Sequence, residues 1–323
     1  MKLTVLGAGT WGFCLATLLA KKGHEVTLWT RHESFAEELR KSRAHPKLTG
    51  SQLVEGVTVT SKLKVGEIVI ESVTAAGIRP VFKALGPVAC PVVITSKGIE
   101  QGTGLLLPEV VADVGVETHW IGALSGPSHA EEVTQHLPTS IVCSAYNPEV
   151  MALIHELFIT PRFRIYPNRD LNGVCFGGAM KNVIAIACGI SDGLGYGDNT
   201  KAALMTRGLH EMRKLSVVKD ANPDTLNGLS GLGDLCVTCM SKHSRNYRFG
   251  RLLAEGFSPE GARQKVGMAV EGIYSCVSAR ELGQKAAIPV PITDAVYGIL
   301  YGGLNPREAV TLLLQRTVKE EHL

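Results

Sequence analysis

The chain has 323 residues, 45% of them hydrophobic, and a formal net charge of +3. This length is enough for two domains with hydrophobic cores. A net charge this small does not favour nucleic-acid binding through bulk electrostatics. The eight cysteines are scattered and lie mostly in apolar runs, which is typical of reduced residues in a cytoplasmic protein.

Two apolar stretches resemble export or membrane segments. Residues 3–20 are uncharged, but three glycines and Trp11 interrupt them, and a strand, a turn and a helix account for this pattern. Residues 172–190 are long enough to span a bilayer. Lys181 and Asn182 lie near the middle of that stretch, however, where charge is costly. We therefore expect a buried helix there and no stable membrane insertion.

Short runs of strand-forming residues alternate with helical patterns through the first half of the chain. Helical patterns such as 11–22 and 78–85 lie between several of the runs. Alternation of this kind predicts parallel βαβ units with right-handed crossovers. The predicted strands are residues 2–6, 25–30, 68–73, 92–95, 119–124 and 140–143.

The pattern changes near Pro167, where predicted strands largely give way to helices. We therefore predict an α/β fold with a doubly wound, Rossmann-type sheet in an NAD(P)-binding domain over residues 1–167. Residues 168–323 are predicted to form an all-α substrate and catalytic domain. Its predicted helices are 172–190, 199–220, 259–266, 268–283, 292–301 and 306–318.

Residues 7–12 have the spacing G-x-G-x-x-G between the first predicted strand and the first helix. Gly7 permits the tight turn, Gly9 lets a pyrophosphate approach the backbone, and Gly12 lets helix and strand pack closely. The helix N-terminus then faces the phosphates. In this context the spacing predicts dinucleotide binding, and an ordinary glycine-rich turn is the alternative.

The second predicted strand ends near Arg31, where folds that prefer NAD usually carry an acidic residue. Arg31 can instead pair with a 2′-phosphate, so NADP(H) is favoured as cofactor. Glu33 is close enough to keep NAD(H) possible. The alternative for Arg31 is a solvated surface side chain.

Lys181 is a long cation among small apolar residues, and its burial is costly unless the protein uses it. Beside a nucleotide fold, such a lysine suggests proton transfer accompanying hydride transfer. We expect nearby cations such as Lys97 to lower its pKa. Lys97 follows the predicted strand 92–95 and is a candidate anion or carbonyl contact, with a surface lysine as the alternative.

Three further segments carry polar groups suited to a ligand. Ser128 and Glu131 have capping-box spacing, which predicts a helix start after a strand. A glycine-rich turn over residues 228–233 ends in Asp234. Arg245 and its neighbours offer donors for a phosphate, and Ser244 is expected to cap the next helix.

The spacing of Cys236, Cys239 and His243 invites a metal interpretation. Structural zinc normally needs four ligands, and no second pair lies nearby, so we expect no metal.

These motifs, in this order, resemble the NAD(P)-dependent glycerol-3-phosphate dehydrogenase family in its bacterial form. The resemblance covers nearly the whole chain. The most specific segments are GPSHAEE at 126–132, GGAMKNV at 177–183, GLGYGDNTKAALMTRG at 193–208, GLSGLGDL at 228–235, SRNYRFG at 244–250 and VEG at 270–272.

The resemblance implies reduction of dihydroxyacetone phosphate to sn-glycerol 3-phosphate, a phospholipid precursor, by an enzyme that is commonly a homodimer. It implies that Lys181 is the catalytic proton carrier. The implied substrate contacts are Lys97, Gly126, Ser128, Lys181, Asp234, Ser244, Arg245 and Asn246. The implied cofactor contacts, besides the glycines of residues 7–12, are Thr10, Trp11, Arg31, His32, Lys97, Ala130, Arg245, Val270 and Glu271.

The chain departs from the family pattern at Thr49, at residues 74–76 and at His129. None of these departures removes a charged catalytic group. Two alternatives stay open from the residues alone: another two-domain β-hydroxyacid dehydrogenase, and a non-catalytic nicotinamide-nucleotide sensor.

Overall fold

The protein is described by a computed structural model covering residues 1–317 and 320. Within it the chain forms two compact units. Unit 1 comprises Met1–Ser96 and Leu107–Leu171, and unit 2 comprises Lys97–Leu106 and the residues from Asn172 onward. The single boundary near Pro167 stays a prediction. The short segment Lys97–Leu106 is grouped with the helical unit because Ile99 and Leu106 belong to its core.

Unit 1 is built on an eight-stranded sheet in the order β3-β2-β1-β4-β5-β6-β7-β8. Strands such as Ile68–Glu71 and Ile121–Ser125 are buried at every position, as expected for a sheet covered on both faces. The strands are β1 (Lys2–Leu6), β2 (Glu25–Trp29), β3 (Val57–Thr60), β4 (Ile68–Glu71), β5 (Val92–Ile94), β6 (Ile121–Ser125), β7 (Thr139–Ala145) and β8 (Phe163–Pro167).

The predicted doubly wound α/β fold is confirmed, and β7 departs from the predicted parallel βαβ units. This strand pairs antiparallel with β6 and parallel with β8. The connection between β6 and β7 contains only one short helix, Ala130–Thr134. Residues 126–138, which connect the two strands, are about the shortest connection that allows a parallel crossover. The chain instead enters β7 in the opposite direction and runs back beside β6.

Six helices belong to unit 1, and the first two follow β1 and β2 directly. Their apolar faces join the strands in one core that includes Phe13, Leu28 and Ile70. The helices are α1 (Thr10–Lys21), α2 (Glu33–Ser42), α3 (Ala75–Leu85), α4 (Leu107–Asp113), α5 (Ala130–Thr134) and α6 (Pro148–Phe158).

Unit 2 is helical, as predicted, and its centre is the long helix Leu171–Gly193. This helix could cross a membrane by length and composition, but 94% of its apolar window is buried inside the protein, as expected for a core helix. The helices are α7 (Leu171–Gly193), α8 (Asp198–Ser216), α9 (Asp234–Met240), α10 (Arg245–Ala254), α11 (Pro259–Val266), α12 (Glu271–Ala286), α13 (Pro291–Tyr301) and α14 (Pro306–Leu314).

Glycines set the distance between α7 and α10. A Cβ atom at Gly189 would lie 2.1 Å from the Tyr247 carbonyl oxygen, and one at Gly250 would lie 2.1 Å from the Ile186 carbonyl oxygen. Only residues without a side chain permit this approach of two backbones. The close crossing brings the polar start of α10 beside the middle of α7.

A carboxylate from α8 caps the start of α13. Glu211 is buried and accepts hydrogen bonds from the backbone N–H groups of Ile292 and Thr293 at 2.9 and 3.1 Å, and another from the Thr293 hydroxyl. These bonds satisfy donors that a helix start leaves unpaired. Burial raises the pKa of Glu211 to about 6.

Candidate active site

The turn after β1 has the geometry that the glycine spacing predicts. Gly7 has φ +110°, and its backbone N–H donates to the Trp29 carbonyl at 2.9 Å, which joins the turn to the end of β2. A Cβ atom at Gly12 would lie 1.9 Å from the Gly7 carbonyl oxygen, whereas one at Gly9 would meet no protein atom within 4 Å. Gly7 and Gly12 are therefore required by packing inside the protein. Gly9 leaves open space where a ligand can approach the backbone.

The neighbouring positions Thr10 and Trp11 form the first residues of α1, and both are partly exposed. Gly9 is the N-cap of α1 and has no side-chain oxygen to bond the first N–H groups. These N–H groups suit an anion. The turn also lies where the strand order reverses between β1 and β4, the usual ligand crevice of an open α/β sheet.

The end of β2 presents two basic side chains to solvent. Arg31 and His32 are exposed, and Arg31 Nη2 lies 3.3 Å from His32 Nε2. Glu33, the acidic residue that kept NAD possible, accepts hydrogen bonds from Ser61 and Arg40, which lower the pKa of its carboxyl. Glu33 is thus occupied by neighbours within unit 1.

The segment after β6 differs in one respect from the prediction. The expected capping box at Ser128 is wrong: α5 begins after His129, and no side chain caps it. The Ser128 hydroxyl instead donates to the Gly126 carbonyl at 3.0 Å, and Gly126 has φ +139°. The turn is therefore stabilised locally. Ala130 is the first residue of α5 and is buried.

In unit 2, the predicted lysines meet at one carboxylate. Lys181 Nζ on α7 donates to Asp234 Oδ1, and Lys97 Nζ donates to Asp234 Oδ2 at 2.6 Å. Lys181 Nζ also donates to the Thr238 hydroxyl at 2.8 Å, and that hydroxyl donates to the Asp234 backbone carbonyl at 2.6 Å. The lysine suspected from sequence is therefore paired in a buried network.

Burial is the main influence on Lys181. It lowers the pKa of the ammonium group to about 7, while the Asp234 carboxylate opposes this change and Lys97 adds to it. The expected effect of Lys97 therefore has the right sign, but desolvation is larger. Asp234 has only 1% of its side chain exposed, against 20% for Lys97. A lysine with a pKa near neutrality can give and take a proton under physiological conditions.

The glycine-rich segment before Asp234 is helical and packs directly on α7. A Cβ atom at Gly177 would lie 2.7 Å from the Ser230 carbonyl oxygen, and one at Gly231 would lie 2.0 Å from the Leu226 carbonyl oxygen. Residues Leu229–Gly233 form a wide, π-type turn that leads into α9. This packing holds Asp234, the first residue of α9, at the distance from α7 that its bond to Lys181 requires.

The start of α10 forms a second polar group in unit 2. Ser244 caps the helix as predicted, because its hydroxyl accepts the Tyr247 N–H at 3.2 Å. Asn246 Nδ2 donates to Asn182 Oδ1 at 2.8 Å, and Asn246 Oδ1 accepts the Gly272 N–H at 2.9 Å. Arg245 is the first residue of α10 and is partly exposed.

Asn246 thereby links three helices that carry predicted site residues. Through Asn182 it contacts α7 next to Lys181, and through Gly272 it contacts the start of α12. Val270 and Glu271 are the N-cap and first residue of α12. The predicted residues of unit 2 thus fall into the Lys181 network and the Asn246 network, which are adjacent along α7.

Sequence reasoning missed two members of these networks. Thr238 lies four residues after Asp234 on the same helix face, a spacing that indicates neighbouring side chains. Asn182 directly follows Lys181 and is a second buried polar residue in an apolar helix. Both signals were present in the sequence.

The segment that suggested a metal contributes Thr238 to the lysine network. Cys236 and Cys239 are both free thiols. Among the residues that the structure describes, no group of three or more His, Cys, Asp or Glu side chains is arranged to hold a metal ion.

An open sheet with a glycine turn at its switch point, together with a helical unit that holds a buried lysine, defines a dinucleotide-binding oxidoreductase. Comparison with protein-family models shows which family of oxidoreductases this is. The model for the NAD-dependent glycerol-3-phosphate dehydrogenase N-terminus matches residues 2–151, and that for the C-terminus matches residues 170–311. The chain belongs to the NAD-dependent glycerol-3-phosphate dehydrogenase family.

Individual relatives agree over the full length. The chain is 56% identical over 331 residues to glycerol-3-phosphate dehydrogenase [NAD(P)+] of Protochlamydia amoebophila, covering 100% of this chain and 99% of the relative. It is 51% identical over 334 residues to the enzyme of that name from Chlamydia trachomatis serovar L2b, with 100% of both chains covered. The solved glycerol-3-phosphate dehydrogenase of Coxiella burnetii is 38% identical, with a TM-score of 0.92 and coverage of 98% and 99%.

Proposed function

We infer that the protein is an NAD(P)-dependent oxidoreductase that interconverts dihydroxyacetone phosphate and sn-glycerol 3-phosphate. Family membership over both halves of the chain supports the reaction. The observation that carries the chemistry is Lys181, a buried ammonium with a pKa near 7, held by Asp234 and Thr238. The sn-glycerol 3-phosphate that the enzyme makes would supply glycerophospholipid synthesis.

The residues of unit 1 fit a nicotinamide dinucleotide. Open space at Gly9, the uncapped start of α1 and the position at the sheet's switch point suit a pyrophosphate. When bound, the cofactor supplies the hydride that reduces the substrate carbonyl. We propose that Thr10 and Trp11 contact it beside the glycines, and that Ala130, Val270 and Glu271 also do so, as in the family.

We propose that Lys181 donates a proton to the carbonyl oxygen as hydride reaches the carbon. The proton leaves Nζ, the oxygen becomes the hydroxyl of the product, and the neutral amine regains a proton from solvent. A donor with a pKa near the working pH is the most effective general acid. The positive charge of Lys97 also stabilises the alkoxide that develops during the transfer.

Arg245 is proposed to hold the substrate phosphate at the start of α10. Its guanidinium offers a planar fork of donors, and the first N–H groups of a capped helix add to an anion site. Asn246 Nδ2 uses one of its two hydrogens for Asn182, so the second remains for a ligand. Ser244, Gly126 and Ser128 are proposed as further substrate contacts.

NADP(H) is the proposed preference, with NAD(H) as the second choice. Arg31 and His32 are exposed basic residues at the end of β2, and Glu33 is already bonded to Arg40 and Ser61. A guanidinium recognises a 2′-phosphate, whereas a free carboxylate would recognise a ribose hydroxyl. We also propose a cytoplasmic homodimer, as is common in the family.

The two alternatives fit less well. Another β-hydroxyacid dehydrogenase, acting on a carboxylate substrate, does not account for the family match over both halves of the chain. A non-catalytic sensor has no need of a proton donor tuned to neutral pH.

One assay separates these readings. Purified protein is mixed with NADPH and dihydroxyacetone phosphate, and the loss of NADPH absorbance is followed. Turnover is expected with this substrate, and none with a β-ketoacid. Turnover only with the carboxylate would support the other dehydrogenase, and tight binding of NADPH without any turnover would support the sensor.

A further inference from the structure

Glu71 is a carboxylate with 0% exposure at the carboxyl end of β4. It lies between Leu6 of β1 and Ile94 of β5 in the sheet register. The strand order reverses between β1 and β4, so Glu71 lies at the switch point where open α/β sheets bind their ligands. A buried carboxylate at an edge that attracts anions needs an explanation.

The carboxylate is held by neutral donors. Glu71 Oε1 accepts the Val73 N–H and the Ser96 hydroxyl, both at 2.7 Å, and Oε2 accepts the Ser96 N–H at 3.4 Å. The backbone at Ser72 and Val73 lies against the glycine turn, because a Cβ atom at Gly7 would lie 2.5 Å from the Ser72 carbonyl oxygen. Glu71 therefore positions the backbone on which the cofactor turn rests.

The proton count around Ser96 favours a neutral carboxyl group. The Ser96 hydroxyl has a single hydrogen, yet its oxygen lies within hydrogen-bond distance of both Glu71 Oε1 and the Val73 carbonyl. If Glu71 is ionised, the single Ser96 hydrogen can serve only one of these contacts. The other contact then brings two oxygen acceptors together without a proton between them. A protonated Glu71 donates to Ser96 Oγ, which in turn donates to the Val73 carbonyl, and both contacts are satisfied.

The surroundings of Glu71 also favour its protonated form. Burial raises the pKa of its carboxyl to about 7, and the hydrogen bonds from Ser96 and Val73 only partly oppose this. The flanking strands place Leu6 and Ile94 beside it, and neither is charged.

The helices around this edge of the sheet carry no basic residue in their first turn. The helices that begin here, α1 and α3, carry Lys21, Arg79 and Lys83 in their second turn or later, and Arg79 pairs with Asp113. Lys97, which directly follows Ser96 in the chain, is bonded to Asp234. Glu71 therefore titrates in the neutral pH range, where part of it is ionised.

We propose that Glu71 is a positioning residue of the dinucleotide site that takes up a proton when the anionic cofactor binds. The inference rests on the proposed function. A pyrophosphate at the glycine turn disfavours a carboxylate nearby. The ionised fraction of Glu71 therefore takes a proton from the buffer, and the resulting carboxyl donates it in a hydrogen bond to Ser96. It follows that cofactor affinity decreases as pH rises through neutrality.

The test is calorimetric titration of the full-length protein with NADH, in two buffers of different ionisation enthalpy. NADH is the probe because the 2′-phosphate of NADPH itself titrates near pH ~6. We expect uptake of a fraction of a proton at neutral pH and a decrease in affinity of up to about tenfold per pH unit, the limit for one proton. Binding without proton uptake would overturn the proposal.

Two variants isolate the carboxyl group. Glu71→Gln should bind NADH with little dependence on pH and without the uptake seen in the wild type. Glu211→Gln is the matched control, because Glu211 is a buried carboxylate of unit 2 with a raised pKa, and it should keep the wild-type uptake. Uptake that stays at the wild-type level in Glu71→Gln would contradict the proposal.

A second variant keeps the test usable if Glu71→Gln does not fold. Ser96→Ala removes the hydroxyl that contacts both Glu71 and the Val73 carbonyl, so the pH range over which uptake occurs should shift, and unchanged uptake in this variant would also count against the proposal. Failure of the proposed function gives a different result. In that case the wild-type protein does not oxidise NADPH with dihydroxyacetone phosphate, whatever the titration with NADH shows.

Discussion

The two units prepare for a ligand in opposite ways. The glycine turn of unit 1 offers backbone and empty space: a Cβ atom at Gly9 would meet nothing within 4 Å. Unit 2 instead keeps charged side chains in place, with Lys181 and Lys97 sharing the buried carboxylate of Asp234. The first arrangement depends on glycines, which have no side chain, and the second depends on charged side chains that are costly to bury.

This difference predicts how each unit responds to mutation. A substitution at the glycine turn should act on cofactor binding or on folding through steric contact. A substitution in the lysine network should act on proton transfer, because the charges set one another's pKa values. The following predictions use this separation, from the largest expected effect to the smallest.

Lys181→Ala removes the proposed proton donor and leaves the glycine turn unchanged. We expect turnover to decrease by about 10²–10⁴-fold from general acid catalysis, and further from lost charge stabilisation. Binding of NADPH, measured by calorimetry, should stay close to wild type. The matched control is Lys214→Ala, an exposed lysine of α8. Near-wild-type turnover in Lys181→Ala would rule out the assigned role.

Arg245→Ala tests the phosphate site at the start of α10. A guanidinium fork makes charge-assisted hydrogen bonds, so KM for dihydroxyacetone phosphate should rise on the order of 10²-fold. The preference over unphosphorylated dihydroxyacetone should nearly disappear, since phosphate binding no longer positions the carbonyl. If the variant keeps the wild-type preference, the phosphate is held elsewhere, and Lys97 is the next candidate.

Gly9→Ala and Gly12→Ala separate ligand space from packing within one turn. Gly9 has φ −69°, which alanine adopts readily, so Gly9→Ala should melt like the wild type but bind NADPH roughly 5–150-fold more weakly, the effect of about 1–3 kcal/mol of overpacking. Gly12→Ala places a Cβ atom 1.9 Å from the Gly7 carbonyl oxygen and should lower the melting temperature. Equal melting temperatures for the two variants would contradict this assignment.

Arg31→Ala should alter the choice of cofactor and little else. Loss of a hydrogen-bonded charge pair should weaken NADPH by roughly 1.5–3 kcal/mol and leave NADH almost unchanged. The measurement is the dissociation constant of each cofactor. Equal losses for both would show that Arg31 does not recognise the 2′-phosphate.

The sequence predicts the unit 1 turn well and the charge network only in part. Gly7 and Gly12 answer local steric needs within the turn, whereas Gly9 between them leaves space for a ligand. Lys181 could be recognised as unusual, but its partner Asp234 is 53 residues away and only the fold brings the two together. Thr238 shares a helix face with Asp234, but its contact with Lys181 likewise depends on the fold.

Short elements at the ends of the sheet were harder to predict. The edge strands β3 and β8 alternate buried and exposed positions and lack the continuous apolar run of the central strands. The capping box at Ser128 was wrong because the hydroxyl is engaged by the Gly126 carbonyl. The reversal at β7 follows a connection with one short helix, and sequence periodicity does not define the direction of the next strand.

The pH dependence of turnover for dihydroxyacetone phosphate reduction tests the Lys181 network most directly. A donor with a pKa of about 7 predicts constant turnover at low pH and a decrease above neutrality. Asp234→Asn removes the charge that raises this pKa, so the decrease should move to lower pH. Lys97→Ala removes a charge that lowers it, so the decrease should move to higher pH. Shifts in these opposite directions would support the account, and profiles that coincide with the wild type in both variants would contradict it.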